Sequence, residues 1–270
     1  MATTGLETSK VAIVGAGVMG EAMIHALNRL GINGSEIIIR EKRAEREQEL
    51  VEKYGVKSGL LDTAQVILLA VKPQDLEKTL GEIRSELRDG ALLVSLLAGI
   101  KSLRIQGLVN ESARVIRVMP NTPLLLGAGM SVISAGATAT SADVEWVKNL
   151  LTSSGQTLVV DESLMDAVTA TSGSGPAYFF GFVEAMIEGA KSLGLSETDA
   201  RVLVNQTFLG AAKMISESGK DAKTLRENVT SPNGTTAAAI SVFESKDWKN
   251  TVYQAMKSAK EKAQEISKNQ

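Results

Sequence analysis

Three sets of residues in this chain have types and spacings that could do chemistry. Gly15, Gly17 and Gly20 fall in a G-x-G-x-x-G pattern. Arg40, Lys42 and Arg43 crowd around Glu41. Ser231, Thr235 and Thr236 gather three hydroxyls about the turn-forming run Pro232-Asn233-Gly234. The glycines would let backbone N–H groups close on a pyrophosphate. The cations would suit a further phosphate. The hydroxyls, with the N–H groups that open a helix, would receive a small carboxylate, although hydroxyls at such a junction also serve as plain helix caps.

Each set needs an element to carry it. Val11-Ala12-Ile13-Val14 is a β-favouring run that enters the glycine turn directly. A helical pattern leaves the turn, with Ala22, Met23, Ala26 and Leu27 on one face. Strand, glycine turn and helix in that order are the context of a dinucleotide-binding fingerprint. Gly15 makes the tight turn, Gly17 clears the way for the pyrophosphate, and Gly20 lets the helix lie close on the strand. Val18 and Met19 start the helix, where free N–H groups and a partial positive charge face the phosphates. Ile37-Ile38-Ile39 reads as a second strand. It ends on Arg40-Glu41-Lys42-Arg43, about 20 residues past the glycines, where a ribose-reading residue is expected. An acid alone would favour NAD there. Cations favour the 2′-phosphate of NADP, with Arg40 and Lys42 as its ligands, so NADPH is the expected cofactor and NADH the alternative. The same charges also open an amphipathic helix over Ala44–Tyr54.

Residues 66–71 are apolar on both faces, as a parallel strand covered by helices should be. They end at Lys72-Pro73-Gln74. Residues 92–97 form a strand ending at Ala98-Gly99, and residues 113–119 one ending at Pro120-Asn121-Thr122-Pro123. Residues 149–160, turning at Gly155, complete this half. Strands alternating with helices mean an α/β fold with a doubly wound, Rossmann-type parallel sheet. Ligands of such sheets lie beyond the carboxyl ends of the strands. Ala70, Val71, Lys72, Pro73, Ala98, Gly99 and Asn121 fall at those ends and, with the glycine turn, outline a cofactor cleft. Turn chemistry at Pro73 and Pro123, and a β-turn cap at Asn121, are the plainer readings.

Near Asp161 the texture changes, and from Glu162 onward helical periodicity dominates. Residues 164–170 are one segment, which Ser172-Gly173-Ser174-Gly175-Pro176 breaks. Residues 177–193 follow, with Phe179, Phe182, Val183, Met186 and Ile187 in an apolar stripe. Ser196-Glu197-Thr198-Asp199 resembles a capping box opening a helix to about Ser218. Residues 237–243 form a helix behind Thr235-Thr236, and residues 247–267 form the last. The expected domains are therefore a dinucleotide-binding domain, 1–161, and an all-helical domain, 162–270. About five helices in roughly 110 residues make a bundle too thin for a core of its own, so a homodimer through these helices is expected.

The totals bound the rest. The 270 residues suit two domains better than one core. A formal net charge of −2 offers no basic field for nucleic acid or anionic lipid. The absence of cysteine excludes disulfides, thiolate metal sites and a cysteine nucleophile. The single histidine, His25, excludes a His-rich metal site and reads as a helix-surface or packing residue. Residues 1–10 are polar with no apolar leader, and the longest apolar runs, 66–71 and 91–100, are too short to span a bilayer. A soluble, cytoplasmic protein is expected.

Two longer blocks add a resemblance. Asp166-Ala167-Val168-Thr169 with Ser172-Gly173-Ser174-Gly175-Pro176-Ala177-Tyr178, and Asn228-Val229-Thr230-Ser231-Pro232-Asn233-Gly234-Thr235-Thr236, resemble the C-terminal blocks of the pyrroline-5-carboxylate reductases. Ala70-Val71-Lys72-Pro73-Gln74, Ala98-Gly99-Ile100 and Arg117-Val118-Met119-Pro120-Asn121-Thr122-Pro123 resemble their N-terminal blocks, in order. The resemblance runs from Val11 to about Ala259. Asn233 departs from it, standing where the family usually carries glycine; asparagine also suits a left-handed turn.

The resemblance implies the last step of proline synthesis, in which NAD(P)H delivers a hydride to C5 of the imine 1-pyrroline-5-carboxylate. A protonated imine is already an electrophile, so catalysis needs neither metal nor nucleophile and is mostly positioning. The resemblance implies for Thr236 a catalytic hydrogen bond to the ring nitrogen and a share in delivering the proton. Ser231, Gly234, Thr235 and Thr236 would hold the substrate carboxylate. Glu162 would be an acid on the substrate side, and Asn228 a polar contact near the cofactor. Family members assemble as dimers or decameric rings of dimers, one subunit's helical domain closing the other's cleft. The expected partners are the small-molecule substrate and further copies of the chain, with no nucleic acid and no membrane. The alternatives are another imine reductase, a β-hydroxyacid-dehydrogenase-like enzyme, or a non-enzymatic NADP-sensing protein. The helix from Ser174 carries no lysine before Lys191 to protonate an alkoxide, which opposes the hydroxyacid reading. The intact loop from Ser231 to Thr236 opposes the sensor.

Overall fold

Short runs of valine, isoleucine and leucine build the sheet of the first half. In the computed structural model, which describes residues 10–268, the strands are β1 (Val11–Val14), β2 (Ile37–Arg40), β3 (Lys57–Ser58), β4 (Val66–Leu69), β5 (Leu92–Ser95), β6 (Arg114–Met119), β7 (Gly129–Ala135) and β8 (Gly155–Val159). The reading of residues 1–9 as free of an apolar leader lies outside the described residues. β1, β4 and β5 are buried at every position, as strands covered on both faces must be. The sheet order is β3-β2-β1-β4-β5-β6-β7-β8. Every pairing is parallel except that of β6 with β7, in which Val118 faces Ile133. The sequence reading contained no strand at β7 and placed a turn at Gly155 within residues 149–160. There the structure has the end of a helix, a turn at Ser153 and Ser154, and the edge strand β8.

Five helices accompany this sheet: α1 (Val18–Arg29), α2 (Ala44–Tyr54), α3 (Leu76–Ile83), α4 (Ser102–Val109) and α5 (Ser141–Thr152). Successive strand residues point to opposite faces. Val11 and Ile13 accordingly join one core with Met23, Leu27 and Leu150, while Ala12 and Val14 join the other with Leu80 and Ile105. Each fully buried leucine or isoleucine contributes roughly 1.5–3 kcal/mol. Both cores lie behind the carboxyl ends of β1 and β4, so those ends stand on a rigid base.

The chain forms two compact units. One runs to Ser174 and takes in the stretch from Ala259 onward; the other is Gly175–Ser258. They part later than the sequence division at residues 161 and 162, because segment 162–174 is bonded to the sheet. That segment is a 3₁₀ turn (Glu162–Leu164), the short helix α6 (Met165–Val168) and a π-helical turn (Thr169–Gly173). The glycines at 173 and 175 were expected to break a helix, but the chain passes through the π turn into α7 (Gly175–Ser192). Gly173 is there for closeness, since a Cβ would overlap the Met119 methyl.

The second unit is helical throughout its described residues: α7, α8 (Glu197–Glu217), α9 (Ala222–Asn228), α10 (Thr235–Ser245) and the first half of α11 (Trp248–Lys268). Ser196 caps α8, its hydroxyl accepting from the Asp199 N–H at 3.1 Å. The buried core of this unit is Ile187, Ala200 and Val204, between α7 and α8. Phe179, Phe180 and Val242 remain 57%, 60% and 61% exposed. The expected thinness of this bundle is thus seen directly.

Candidate functional site

The glycine turn has the shape its spacing demands. Gly15 has φ +89°, and a Cβ on it would lie 2.8 Å from the Ala70 carbonyl carbon. A Cβ on Gly20 would overlap the Gly15 carbonyl oxygen, so α1 can approach β1 only with glycine there. Gly17 differs: a Cβ on it would meet nothing within 4 Å. Gly17 is also the N-cap of α1 and brings no side chain to its first N–H groups. Open space in front of uncapped N–H groups fits a pyrophosphate.

A cleft of about 510 Å³ opens beside this turn. It brings together seven residues named from the sequence: Gly15, Gly17, Arg40, Lys42, Ala70, Val71 and Lys72. It also takes in Glu41, Arg43, Asp75, Thr79 and Glu82, which were not named as ligands from the sequence. The cations arrive paired. Arg40 Nη2 donates to Glu86 at 2.8 Å and to the Gly59 carbonyl at 3.1 Å. Lys42 lies 3.5 Å from Asp75, and Arg43 3.1 Å from Glu41.

Other expected cofactor residues stand outside the lining of this cleft. Val18 and Met19 are the first two residues of α1, and Pro73 opens a 3₁₀ turn. Gly99, beside Ala98, has φ +74° and lies under the end of α11: a Cβ would come within 2.9 Å of Ile266 and 3.0 Å of the Ala263 carbonyl. The Ser267 hydroxyl donates to the Gly99 carbonyl. Asn121 is committed at both ends of its amide. Its oxygen accepts from the Met130 N–H at 2.8 Å, and its nitrogen donates to the Ser172 carbonyl at 3.1 Å. It thereby ties β7 to the π turn.

Glu162 is likewise engaged. One oxygen accepts from the Ser102 N–H at 2.7 Å and from Arg117 at 3.0 Å; the other accepts from the Ser102 hydroxyl at 2.7 Å. Burial alone would raise its pKa. The Ser102 and Arg117 donors outweigh that and hold the carboxyl below its ordinary value. His25 is half-buried on α1, with Nε2 2.9 Å from the Tyr54 hydroxyl and its ring edge-on to the tyrosine.

In the second unit the loop after α9 brings the remaining residues together. Asn228 is the last residue of α9. Asn233 takes φ 61°, the left-handed turn its type allows. Gly234 is the N-cap of α10, and a Cβ on it would overlap the Ser231 hydroxyl. Thr235 and Thr236 are the first two helical residues, and α10 has no side-chain cap bond. The plain capping role is therefore absent. The hydroxyls of Ser231, Thr235 and Thr236 make no side-chain hydrogen bond to any described residue, whereas Thr230 donates to the Arg226 carbonyl at 2.6 Å. Among the described residues there is no group of three or more acids or histidines that could hold a metal ion.

The sheet order, the glycine turn and the cation-lined cleft define a dinucleotide-binding protein of the Rossmann type. Comparisons with known proteins narrow this. A family model for "NADP oxidoreductase coenzyme F420-dependent" matches residues 10–99, and one for "Pyrroline-5-carboxylate reductase dimerisation" matches residues 162–266. The pyrroline-5-carboxylate reductase of Corynebacterium melassecola is 38% identical over 96% of this chain and 98% of its own. The solved pyrroline-5-carboxylate reductase of Coxiella burnetii superposes with a TM-score of 0.88 at 32% identity, covering 96% of this chain and 99% of that one. The Plasmodium falciparum pyrroline carboxylate reductase, solved with NADP bound, gives 0.86 at 29% identity, covering 97% and 100%. The chain belongs to the pyrroline-5-carboxylate reductase family.

Proposed function

We propose that this protein is a cytoplasmic pyrroline-5-carboxylate reductase that uses NADPH to convert 1-pyrroline-5-carboxylate to L-proline. The observation that carries the reading is the loop from Ser231 to Thr236, whose three hydroxyls stand at the start of α10 without capping it. When bound, the nicotinamide supplies the hydride that C5 of the imine receives. The chain's own residues bind and orient. The N–H groups of Thr235 and Thr236, with Gly234 and the Ser231 hydroxyl, hold the substrate carboxylate, each charge-assisted bond contributing about 1.5–3 kcal/mol. The Thr236 hydroxyl bonds the ring nitrogen and helps deliver its proton. Gly15, Gly17, Val18, Met19 and Gly20 receive the pyrophosphate, and Arg40 and Lys42 the 2′-phosphate. Ala70 to Pro73, Ala98, Gly99 and Asn121 shape the strand ends around the cofactor, and Asn228 adds a polar contact. Glu162 acts by way of Ser102 and Arg117, since both its oxygens are bound to them. The helices of residues 162–266 join two copies, and dimers build a decamer.

The test is NADPH oxidation by the purified protein with 1-pyrroline-5-carboxylate, run beside the reverse reaction on 3-hydroxy acids. Turnover of the imine supports the assignment. Turnover of the hydroxy acids alone overturns it.

A further inference from the structure

An acid at the end of the second strand ordinarily accepts from the adenosine ribose and disfavours a 2′-phosphate. Glu41 stands at that position and lines the cleft, but its carboxylate is already bonded to the chain around it. Its Oε2 accepts from the Ala16 N–H at 2.9 Å. Its Oε1 accepts from the Arg43 N–H at 3.2 Å and from Arg43 Nε at 3.1 Å. Its own N–H donates to Glu47 at 3.1 Å. Only 9% of the side chain is exposed, which leaves little of the carboxylate for a ribose. Burial works to raise its pKa, and the bonds from Arg43 and Ala16 outweigh it.

The other side of the same residue is held as well. Arg46 Nε donates to the Ala16 carbonyl at 3.2 Å. Its remaining nitrogens are occupied by Glu49, at 2.8 Å, and by Glu21. Ala16, the middle residue of Gly-Ala-Gly, is fully buried. In a trans peptide the C=O and the following N–H point opposite ways. With the Ala16 carbonyl drawn to Arg46, the Gly17 N–H is directed away from Arg46. A turn flanked by two glycines has much conformational freedom to lose, and a turn ordered in advance loses less of it on binding.

We propose that Glu41 and Arg46 are positioning residues that hold Ala16 from both sides and preset the phosphate-binding turn, and that Glu41 does not read the ribose. The proposal rests on the NADPH reading above, and it has a sign. A ribose reader at position 41, once removed, releases NADPH from repulsion and costs NADH an acceptor. A clamp, once removed, loosens the turn under both cofactors.

The experiment is calorimetric titration of NADPH and NADH into the wild-type protein and into Glu41→Ala, Glu41→Gln and Arg46→Met, with unfolding midpoints and the KM for the imine at saturating NADPH. Glu41→Ala and Arg46→Met are expected to weaken both cofactors about ten- to hundredfold while leaving the KM for the imine unchanged. Glu41→Gln keeps an oxygen for the Ala16 N–H and is expected within about threefold of wild type. Unchanged or tighter NADPH binding in Glu41→Ala, with NADH alone weakened, overturns the clamp. So does an equal loss in Gln and Ala variants. Should Glu41→Ala fail to fold, Arg46→Met and Glu41→Gln decide by the same criteria. A wild-type protein that binds no NADPH overturns the cofactor reading itself, a result distinct from the others.

Discussion

At the scale of single residues, Thr236 is the position on which turnover should depend most. Changing it to alanine removes one positioned hydrogen bond at the ring nitrogen. We expect kcat to fall about 10- to 1000-fold with NADPH affinity intact, measured by steady-state kinetics beside a binding titration. Unchanged turnover would remove Thr236 from the mechanism. The cations make a second case. Replacing Arg40 and Lys42 together by alanine should weaken NADPH about tenfold more than NADH. An equal effect on both would show that Arg40 serves Glu86 and Gly59 and no phosphate. Legibility differed between these residues. The glycine turn could be read because strand, turn and helix lie within one short stretch. The bond between Glu41 and the turn could not, because its partner Ala16 sits 25 positions away. A carboxylate beside other charges reads as part of a solvated run until its donor is seen.

At the scale of elements, Gly99 shows where local reading runs out. It was expected beside the cofactor because it ends a strand. Its positive φ and missing Cβ are explained by α11, whose Ser267 lies 168 positions further along. Gly99→Ala should destabilise the protein by about 1–3 kcal/mol, read from urea unfolding, through an unfavourable φ and a clash with Ile266. No loss of stability would mean that α11 gives way there. β7 escaped the sequence reading for a related reason. Gly129-Met130-Ser131-Val132-Ile133-Ser134-Ala135 carries a serine on each face and no apolar–polar alternation, so it reads as loop. Both serines are in fact buried. The π turn escaped because Ser-Gly-Ser-Gly-Pro has the composition of a break. Its Ser172 carbonyl accepts from the Asn121 amide, which comes from the loop after β6 and lies 51 positions away. The β1, α1, β2 and α2 stretch was legible nearly to the residue, since its core faces repeat at short spacing.

At the scale of the whole molecule, stability should depend on acidity in a known direction. Glu21 is held by Tyr54 at 2.6 Å, Lys53 at 2.9 Å and Arg46. Burial opposes ionisation, but these donors bring its pKa from 4.5 down to about 2. A depressed carboxyl stabilises the fold fully above its unfolded pKa and loses that contribution as pH falls through the folded one. Thermal unfolding should therefore shift downward between about pH 4.5 and 2, and Glu21→Gln should flatten the curve over that range. The exposed faces of the second unit have a consequence of another kind, which concerns yield during folding. A chain newly released from denaturant carries Phe179, Phe180 and Val242 in water, and an edge strand with Leu158 and Val159 about half exposed. Such surfaces associate with whatever meets them first. Productive pairing and aggregation then compete, and both accelerate with concentration, aggregation the more steeply. Recovered activity should pass through a maximum at intermediate protein concentration, and adding folded subunits late in refolding should not rescue what has already precipitated.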